Sequence, residues 1–398
     1  MNTTSQSDGF GDGDVPIELL RKRAFNLRWA EQAADVIPLT AADPDFPCAK
    51  VIRDAICDYA KSGVFSYGPS EGLMEFRAAA AVMLQTRKGM PNAQKEQVLA
   101  VNSAAKGMHI VAKTVLRTGD EALVFDPVDF LFAHTVTGVG GVPVRVPIDP
   151  DSGELDFIAI ERAITPRTRL LMICNPVNPV GRVLKRAELQ RLGEIACAHD
   201  LAILSDEIWS DIVFAPHQHV AIASLSAAIA RRTYTVHGLS KTFGLAGLRV
   251  GFVHVGDAQR YEAMVAISNV RSTVEGVATL SQIAATAALQ SAWPWAEAFV
   301  RHLTAQRDLA LRQLREVEGL FVREPEGCYV LFPEVRLWGD ETELARNLLT
   351  KHRIAIVPGA PRWFGEGAKG HIRLTFATSQ AVLREGLQRL CSGLRDLR

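Results

Sequence analysis

The chain has 398 residues, 48% of them hydrophobic, with 44 basic and 44 acidic side chains and hence a formal net charge of zero. That length can bury a large core shared by two domains, and balanced charge gives no electrostatic reason to expect nucleic acid or a membrane surface as partner. No apolar run reaches the ~18–20 residues of a membrane-spanning helix, and the six cysteines (48, 57, 174, 197, 328 and 391) show neither Cys-x-x-Cys nor zinc-ligand spacing, which fits a reducing, cytoplasmic setting and no metal.

Residues 1–14 are polar and rich in Gly and Asp, and read as a flexible tail, not a signal peptide. Residues 15–35 have apolar positions at mixed helical spacing and predict a helical arm. An extended segment, a Pro-rich turn (AADPDFP) and a helix to about residue 61 follow. A turn at Gly68-Pro69-Ser70 opens a helix over 70–81, with Glu71 near its start. From about 97 to 255, apolar strand-like runs (QVLAV, EALVF, GVPVRVPI, RLLMIC, LAILSD, TYTVHGL, GLRVGFVHV) alternate with helical stretches. That alternation predicts an α/β fold whose mostly parallel sheet is covered by helices on both faces. Beyond residue 258 long helices precede three further strand candidates around a helix over 341–351. The expected division is a tail (1–14), an arm with part of a small domain (15–60), a large domain (61–290) and a small C-terminal α/β domain (291–398).

In open α/β sheets ligands sit outside the carboxyl ends of the strands, so the polar residues that follow the apolar runs are the candidate site. The most informative stretch is YTVHGLSKTFGLAGLRVGF, residues 234–252. It carries Ser240-Lys241 and, eight residues on, Arg249, and no Asp or Glu occurs between Asp211 and Asp257. A lysine that lacks a carboxylate nearby in sequence and has a cation as neighbour is biased towards the neutral amine, the form that attacks an aldehyde. VLAV is followed by Ser103-Ala104-Ala105 at a helix start, where free N–H groups suit a phosphate, although a plain N-cap at Ser103 explains the same residues. RLLMIC leads into Asn175-Pro-Val-Asn178-Pro-Val-Gly181, and LAILS into Asp206-Glu207-Ile208-Trp209. A carboxylate at the end of a buried strand calls for a cationic partner. His217 and His219 (APHQHV) have no further ligands at metal spacing and read as loop residues.

The run S-K-T-F-G-L-A-G-L-R-V-G resembles the lysine signature of fold-type I pyridoxal-phosphate enzymes, class I/II aminotransferases in particular, and matching motifs follow in order over about residues 35–395. The resemblance implies pyridoxal 5'-phosphate as cofactor, with Lys241 as the catalytic Schiff-base lysine. It places Ser103, Ala104, Ala105 and Arg249 at the phosphate, Ser240 at the cofactor, Asn178 at the phenolic oxygen and Asp206 at the ring nitrogen. Arg373 in HIRLTFA would clamp the substrate α-carboxylate, with Ala42 and Asn178 beside the substrate. Tyr67, in a Y-x-x-x-x-G-x-x-x-F-R-like run ending at Arg77, would reach the cofactor of a neighbouring subunit, so a homodimer is implied. Two departures stand out. Trp209 occupies a position where a tyrosine is common, and Asp129 occupies that of an aromatic ring stacked on the cofactor, leaving Phe130 as the candidate to stack. The expected reaction moves an amino group from an L-amino acid to a 2-oxo acid. The stretch DEIWSDIVFAPHQHV and the arm RKRAFNLRWAE also resemble cystathionine β-lyase-type C–S lyases, which makes β-elimination the alternative.

Overall fold

A seven-stranded sheet forms the centre of the computed structural model, which describes residues 9–272 and 274–397. Its strands are β1 (Val98–Val101), β2 (Glu121–Asp126), β3 (Val142–Pro147), β4 (Thr168–Cys174), β5 (Ala202–Asp206), β6 (Thr233–Gly238) and β7 (Gly251–Val255). Their spatial order is β1-β7-β6-β5-β4-β2-β3. All neighbouring pairs from β6 to β3 are parallel, whereas β7 runs antiparallel to both β6 and β1. The fold is therefore the expected mostly parallel α/β sheet, with β7 reversed.

Alternation along the strands explains why both faces are covered. In β4, Leu171 and Ile173 join an apolar cluster with Leu123, Phe125 and Ile203, while Leu170, Met172 and Cys174 join a second cluster with Ala122, Val124 and Leu204. Successive side chains point to opposite faces, so a strand that is apolar at every position must be buried on both.

The register gathers the strand ends. Cys174 pairs with Asp206, Asp206 with Val236, and Gly238 and Val101 both with Gly251. The carboxyl ends of β1, β4, β5 and β6 thus share one edge with the amino end of the reversed β7. Reversal is what brings Arg249, which precedes β7, to the same edge as Lys241, which follows β6. Gly251 makes the junction possible, because a Cβ there would lie 2.5 Å from the His237 carbonyl oxygen and 3.4 Å from the Ala104 nitrogen.

An N-terminal segment meets a C-terminal one: Ile37–Pro38 pairs in parallel with Ile354–Ala355. Ile372–Thr375 lies between Val330–Leu331 and Val357–Pro358 in an antiparallel sheet. Helix Gln380–Asp396 packs on the long helix Trp293–Leu314.

Three local expectations need correction. Residues 15–35 are not one helix: Ile17–Arg23 is helical, Trp29–Glu31 forms a 3-10 turn, and Asn26 and Leu27 between them have φ of 64° and 66°. Tertiary bonds override helical spacing there, since the buried Arg28 side chain pairs with Asp45 and the Leu27 carbonyl accepts from the Thr40 hydroxyl at 2.6 Å. The helix expected over 70–81 begins at Met74 and runs to Arg87, because Gly72 has a φ of 116°, outside the helical region, and the Leu73 N–H is taken by Gln282 Oε1 at 2.6 Å. Finally, residues 1–8 of the expected tail lie outside the described residues, and within residues 9–14 the Phe10 side chain is packed while residues 11–13 are exposed. The Phe10 ring lies 5.1–5.6 Å from those of Phe46, Trp295, Phe299 and His302. One aromatic side chain in a polar stretch suffices to anchor it.

Candidate active site

A cavity of about 350 Å³ opens at the shared edge. Lys241, in the turn after β6, is half-buried in its wall; its Nζ donates to the Ala42 carbonyl oxygen and stands 5.3 Å from the centre of the Trp209 ring. Burial holds the amine below the usual lysine range; Asp43 and Asp129 oppose that effect, and the Arg373 guanidinium reinforces it. This corrects the sequence expectation in two respects. The cations that depress Lys241 are Arg373 and Arg28 and not its sequence neighbour Arg249, and carboxylates are present, delivered by chain segments more than a hundred residues away.

Asp206 ends β5, where one carboxylate oxygen accepts the Ile208 N–H at 3.1 Å. Burial pushes its carboxyl up to about 7, with the Ile208 bond and Lys241 pulling it down and Asp129 pushing it further up. A carboxyl so placed suits a protonated ring nitrogen, whose charge would restore the ionised form. At the other side of the cavity the Asn178 amide is held in one orientation. Its oxygen accepts from Arg373 Nη1 at 3.2 Å, and its nitrogen donates to Asp129 Oδ2 at 3.1 Å. Arg373 also donates from Nη2 to the Thr40 carbonyl at 3.2 Å and lies 4.9 Å from the Phe364 ring centre, yet its Nε finds no acceptor. A buried guanidinium with an unspent donor fits an incoming carboxylate.

Ser103 caps helix Ala104–Val115: its Oγ accepts the Lys106 N–H at 3.1 Å and an Arg249 Nη2 donor at 3.2 Å. The N-cap reading of Ser103 is therefore correct, and compatible with an anion site, because the helix start, Ser240 and Arg249 all line the same cavity. These groups together fit pyridoxal phosphate: a basic, amide-lined end for the phosphate, a buried carboxyl for the ring nitrogen, and an amine for the aldehyde carbon.

Ala42, Phe130 and Trp209 also line the cavity. Trp209 is buried with its ring edge-on to Tyr329, the centroids 4.7 Å apart. The Phe130 ring packs edge-on to Trp363 (5.9 Å) and His134 (5.4 Å), and its N–H donates to the Trp363 carbonyl at 2.9 Å. Tyr67 is 95% exposed and is not part of the lining. His219, read as a loop residue, has a buried side chain with Nε2 3.9 Å from Glu207. Two residues escaped the sequence reading. Tyr329 donates to the Ala42 carbonyl at 3.1 Å, the same oxygen that receives Lys241, and nothing in GCYVLF signals it. Asp129 was noticed only as a missing aromatic, although a carboxylate in place of a ring is itself a signal.

Comparison with known proteins agrees with this geometry. The model of the family "Aminotransferase class I and II" matches residues 34–390. The aspartate aminotransferase of Pyrococcus abyssi is 31% identical over 91% of this chain and 92% of its own. The aromatic-amino-acid aminotransferase 2 of Thermococcus litoralis is 30% identical over 94% and 95%. Among solved structures, an aromatic aminotransferase from Pyrococcus horikoshii superposes with a TM-score of 0.85 at 31% identity, covering 92% of this chain and 98% of that one. A PLP-bound structure from Clostridium difficile 630 gives 0.87 at 27% identity over 94% and 97%. Nothing in these likenesses favours the C–S lyase alternative. With the family model and these relatives matching over about nine-tenths of its length, the chain belongs to the class I and II aminotransferases, pyridoxal-phosphate-dependent transferases of fold type I.

Proposed function

We propose that Lys241 carries the amino-group transfer between an L-amino acid and a 2-oxo acid in this cavity, with Asp206, Asn178, Arg249 and Arg373 as the groups that hold cofactor and substrate. The observation that supports this most directly is the convergence, on one strand edge, of a half-buried amine held below the usual lysine range and a buried carboxyl bonded to the Ile208 N–H. Pyridoxal phosphate, when bound, supplies the electron sink that makes the substrate Cα–H acidic. Ser103, Ser240, Arg249 and the first N–H groups after Ser103, those of Ala104 and Ala105, would hold its phosphate. Asp206 would hold the ring nitrogen, and the Asn178 amide nitrogen has one N–H left after Asp129 for the phenolic oxygen. Trp209 and Phe130 bound the space around the ring. Arg373 grips the α-carboxylate and so sets the orientation of Cα. Lys241 Nζ, kept towards its neutral form by burial, takes the Cα proton. Tyr329 and the lysine share the Ala42 carbonyl, which gives the free amine a fixed resting position.

A homodimer belongs to the same proposal. Val64, Phe65, Tyr67 and Met74 are 62–95% exposed along one short stretch, an apolar patch that a second copy would cover, bringing Tyr67 to its neighbour's cavity. Sedimentation of a monomer at micromolar concentration would refute it. A cytoplasmic location is also proposed; among the described residues no helix is long and apolar enough to cross a membrane, and the six cysteines are free.

The deciding experiment adds amino acids anaerobically to protein loaded with pyridoxal phosphate. Conversion of the cofactor to pyridoxamine phosphate with one equivalent of 2-oxo acid supports the reading. Release of pyruvate, ammonia and thiol from cystathionine, with the cofactor spectrum retained, would replace it by β-elimination. The relatives are named for aspartate and for aromatic amino acids, so the panel includes both.

A further inference from the structure

Segments that carry the candidate site meet outside the cavity at one buried carboxylate, that of Asp211. Asp211 lies in the loop after β5, two residues beyond Trp209 and five beyond Asp206. One of its oxygens accepts from Lys88 Nζ at 2.7 Å, and Lys88, which follows helix Met74–Arg87, also donates to Ser210 Oγ at 2.6 Å. The other oxygen accepts from Thr242 Oγ1 at 3.2 Å and has His237 Nε2 3.4 Å away. Thr242 adjoins Lys241, and His237 belongs to β6, the strand from which the lysine turn departs. Asp211 therefore joins the loop that carries Asp206 and Trp209 to the turn that carries Lys241. The side chains of Lys88, Asp211, Thr242 and His237 are at least nine-tenths buried within a single chain, so these partners are in place without a second subunit.

The lysine turn is held only loosely by its own backbone. The N–H groups of Phe243 and Leu245 both reach the Leu239 carbonyl, at 3.3 and 3.4 Å, beyond the usual range of about 2.7–3.2 Å. A buried ion pair adds little stability, because desolvating two charges offsets most of their attraction. It does fix where its partners sit, since every other position leaves a charge unpaired. Burial alone would push the Asp211 carboxyl up, but Lys88 and His237 outweigh it and hold the group well below the usual carboxylate range. Asp211 is thus an ionised acceptor for the Thr242 hydroxyl.

We propose that Asp211 and Thr242 are positioning residues for Lys241: the carboxylate, anchored by Lys88, holds the turn so that the amine stays at the Ala42 carbonyl, beside the cavity in which it takes the Cα proton. The proposal rests on the reading of Lys241 as the base; neither positioning residue lines the cavity. Thr242→Val removes the hydroxyl and keeps the side-chain shape, whereas Thr242→Ser keeps the hydroxyl. The first readout is taken on full-length protein before cofactor is added. It is the pH midpoint for acetylation of Lys241 by acetic anhydride, followed by mass spectrometry. Burial is the main cause that lowers this amine, with Asp43 and Asp129 acting against it and Arg373 and Arg28 with it. The variants alter none of these four groups, so an amine that leaves its place for water titrates higher. The midpoint should rise in Thr242→Val and stay at the wild-type value in Thr242→Ser. The second readout is the half-reaction of loaded protein with an amino acid. Its kcat should fall about 10- to 100-fold in Thr242→Val with KM unchanged, the effect of misplacing a catalytic group by about 1 Å, and recover in Thr242→Ser.

A midpoint unmoved in Thr242→Val, a midpoint moved equally in Thr242→Ser, or a half-reaction at the wild-type rate in Thr242→Val would overturn the proposal and leave the aminotransferase reading intact. If Thr242→Val does not fold, Thr242→Ala carries the same test; if neither folds, the pair is structural support and the proposal falls. Wild-type protein that converts no amino acid would instead sink the aminotransferase reading, and the midpoints would still decide whether the pair places the amine.

Discussion

Replacing Arg373 by lysine keeps the charge and removes the planar fork. The guanidinium already spends Nη1 on the Asn178 oxygen and Nη2 on the Thr40 carbonyl, both at 3.2 Å, with Nε unspent. An ammonium has three donors on one atom and cannot keep both protein acceptors while also meeting two carboxylate oxygens. Loss of one charge-assisted hydrogen bond costs about 1.5–3 kcal/mol, so kcat/KM for an amino acid should fall about 10- to 150-fold in Arg373→Lys. Arg373→Ala leaves the substrate carboxylate unpaired in a buried site and should cost about 2–5 kcal/mol. The assay runs the first half-reaction with an amino acid and with the amine that lacks its α-carboxylate. A carboxylate clamp predicts that the variants slow the amino acid and leave the amine nearly unchanged, so the preference between them collapses. Equal slowing of both substrates would refute the assignment, because it would mean that Arg373 supports the cavity and not the carboxylate.

Lys241→Ala should still take up pyridoxal phosphate through the phosphate site and Asp206, yet lose at least about 10²–10⁴-fold in half-reaction rate for want of the base; full activity with retained cofactor would remove the lysine from the mechanism. Glu207 is buried and its carboxyl is pushed from 4.5 up to about 7, against the pull of Lys88 and Ser205. The native chain therefore holds that proton while the unfolded chain releases it, so stability falls as pH rises from 4.5 to about 7, by about 3 kcal/mol. Urea midpoints of cofactor-free protein should drop between about pH 5 and about pH 8, and drop less in Glu207→Gln; an identical slope in the variant would contradict this. Lys88 joins Asp211 at 2.7 Å and Ser210 at 2.6 Å, with only 3% of its side chain exposed. Lys88→Met leaves the buried Asp211 carboxylate with Thr242 and His237 but no lysine or arginine and should cost about 3–5 kcal/mol in denaturant unfolding; a negligible loss would show that these two partners or water suffice.

Much of the molecule could be read before it folded. The strands β1 to β7 appear as short apolar runs, and the polar residues at their ends are attached covalently, so Ser103, Asn178, Asp206, Lys241 and Arg249 are carried to the edge by their own strands. The motif around each of them is local, and local backbone chemistry acts over a few residues. What lies around those residues is not local. The partners of Lys241 are the Ala42 carbonyl, Asp43, Asp129 and Arg373, none of which its flanking sequence announces. The split of the 15–35 arm and the seating of Phe10 arise likewise, from side chains that find distant partners once the core has formed. Sequence alone determined the fold class, the lysine proposed for the cofactor and the order of the strand-end residues. Only tertiary structure decided which charges surround the amine and which carbonyl it rests on, because electrostatics and packing depend on distance in space while sequence records distance along the chain.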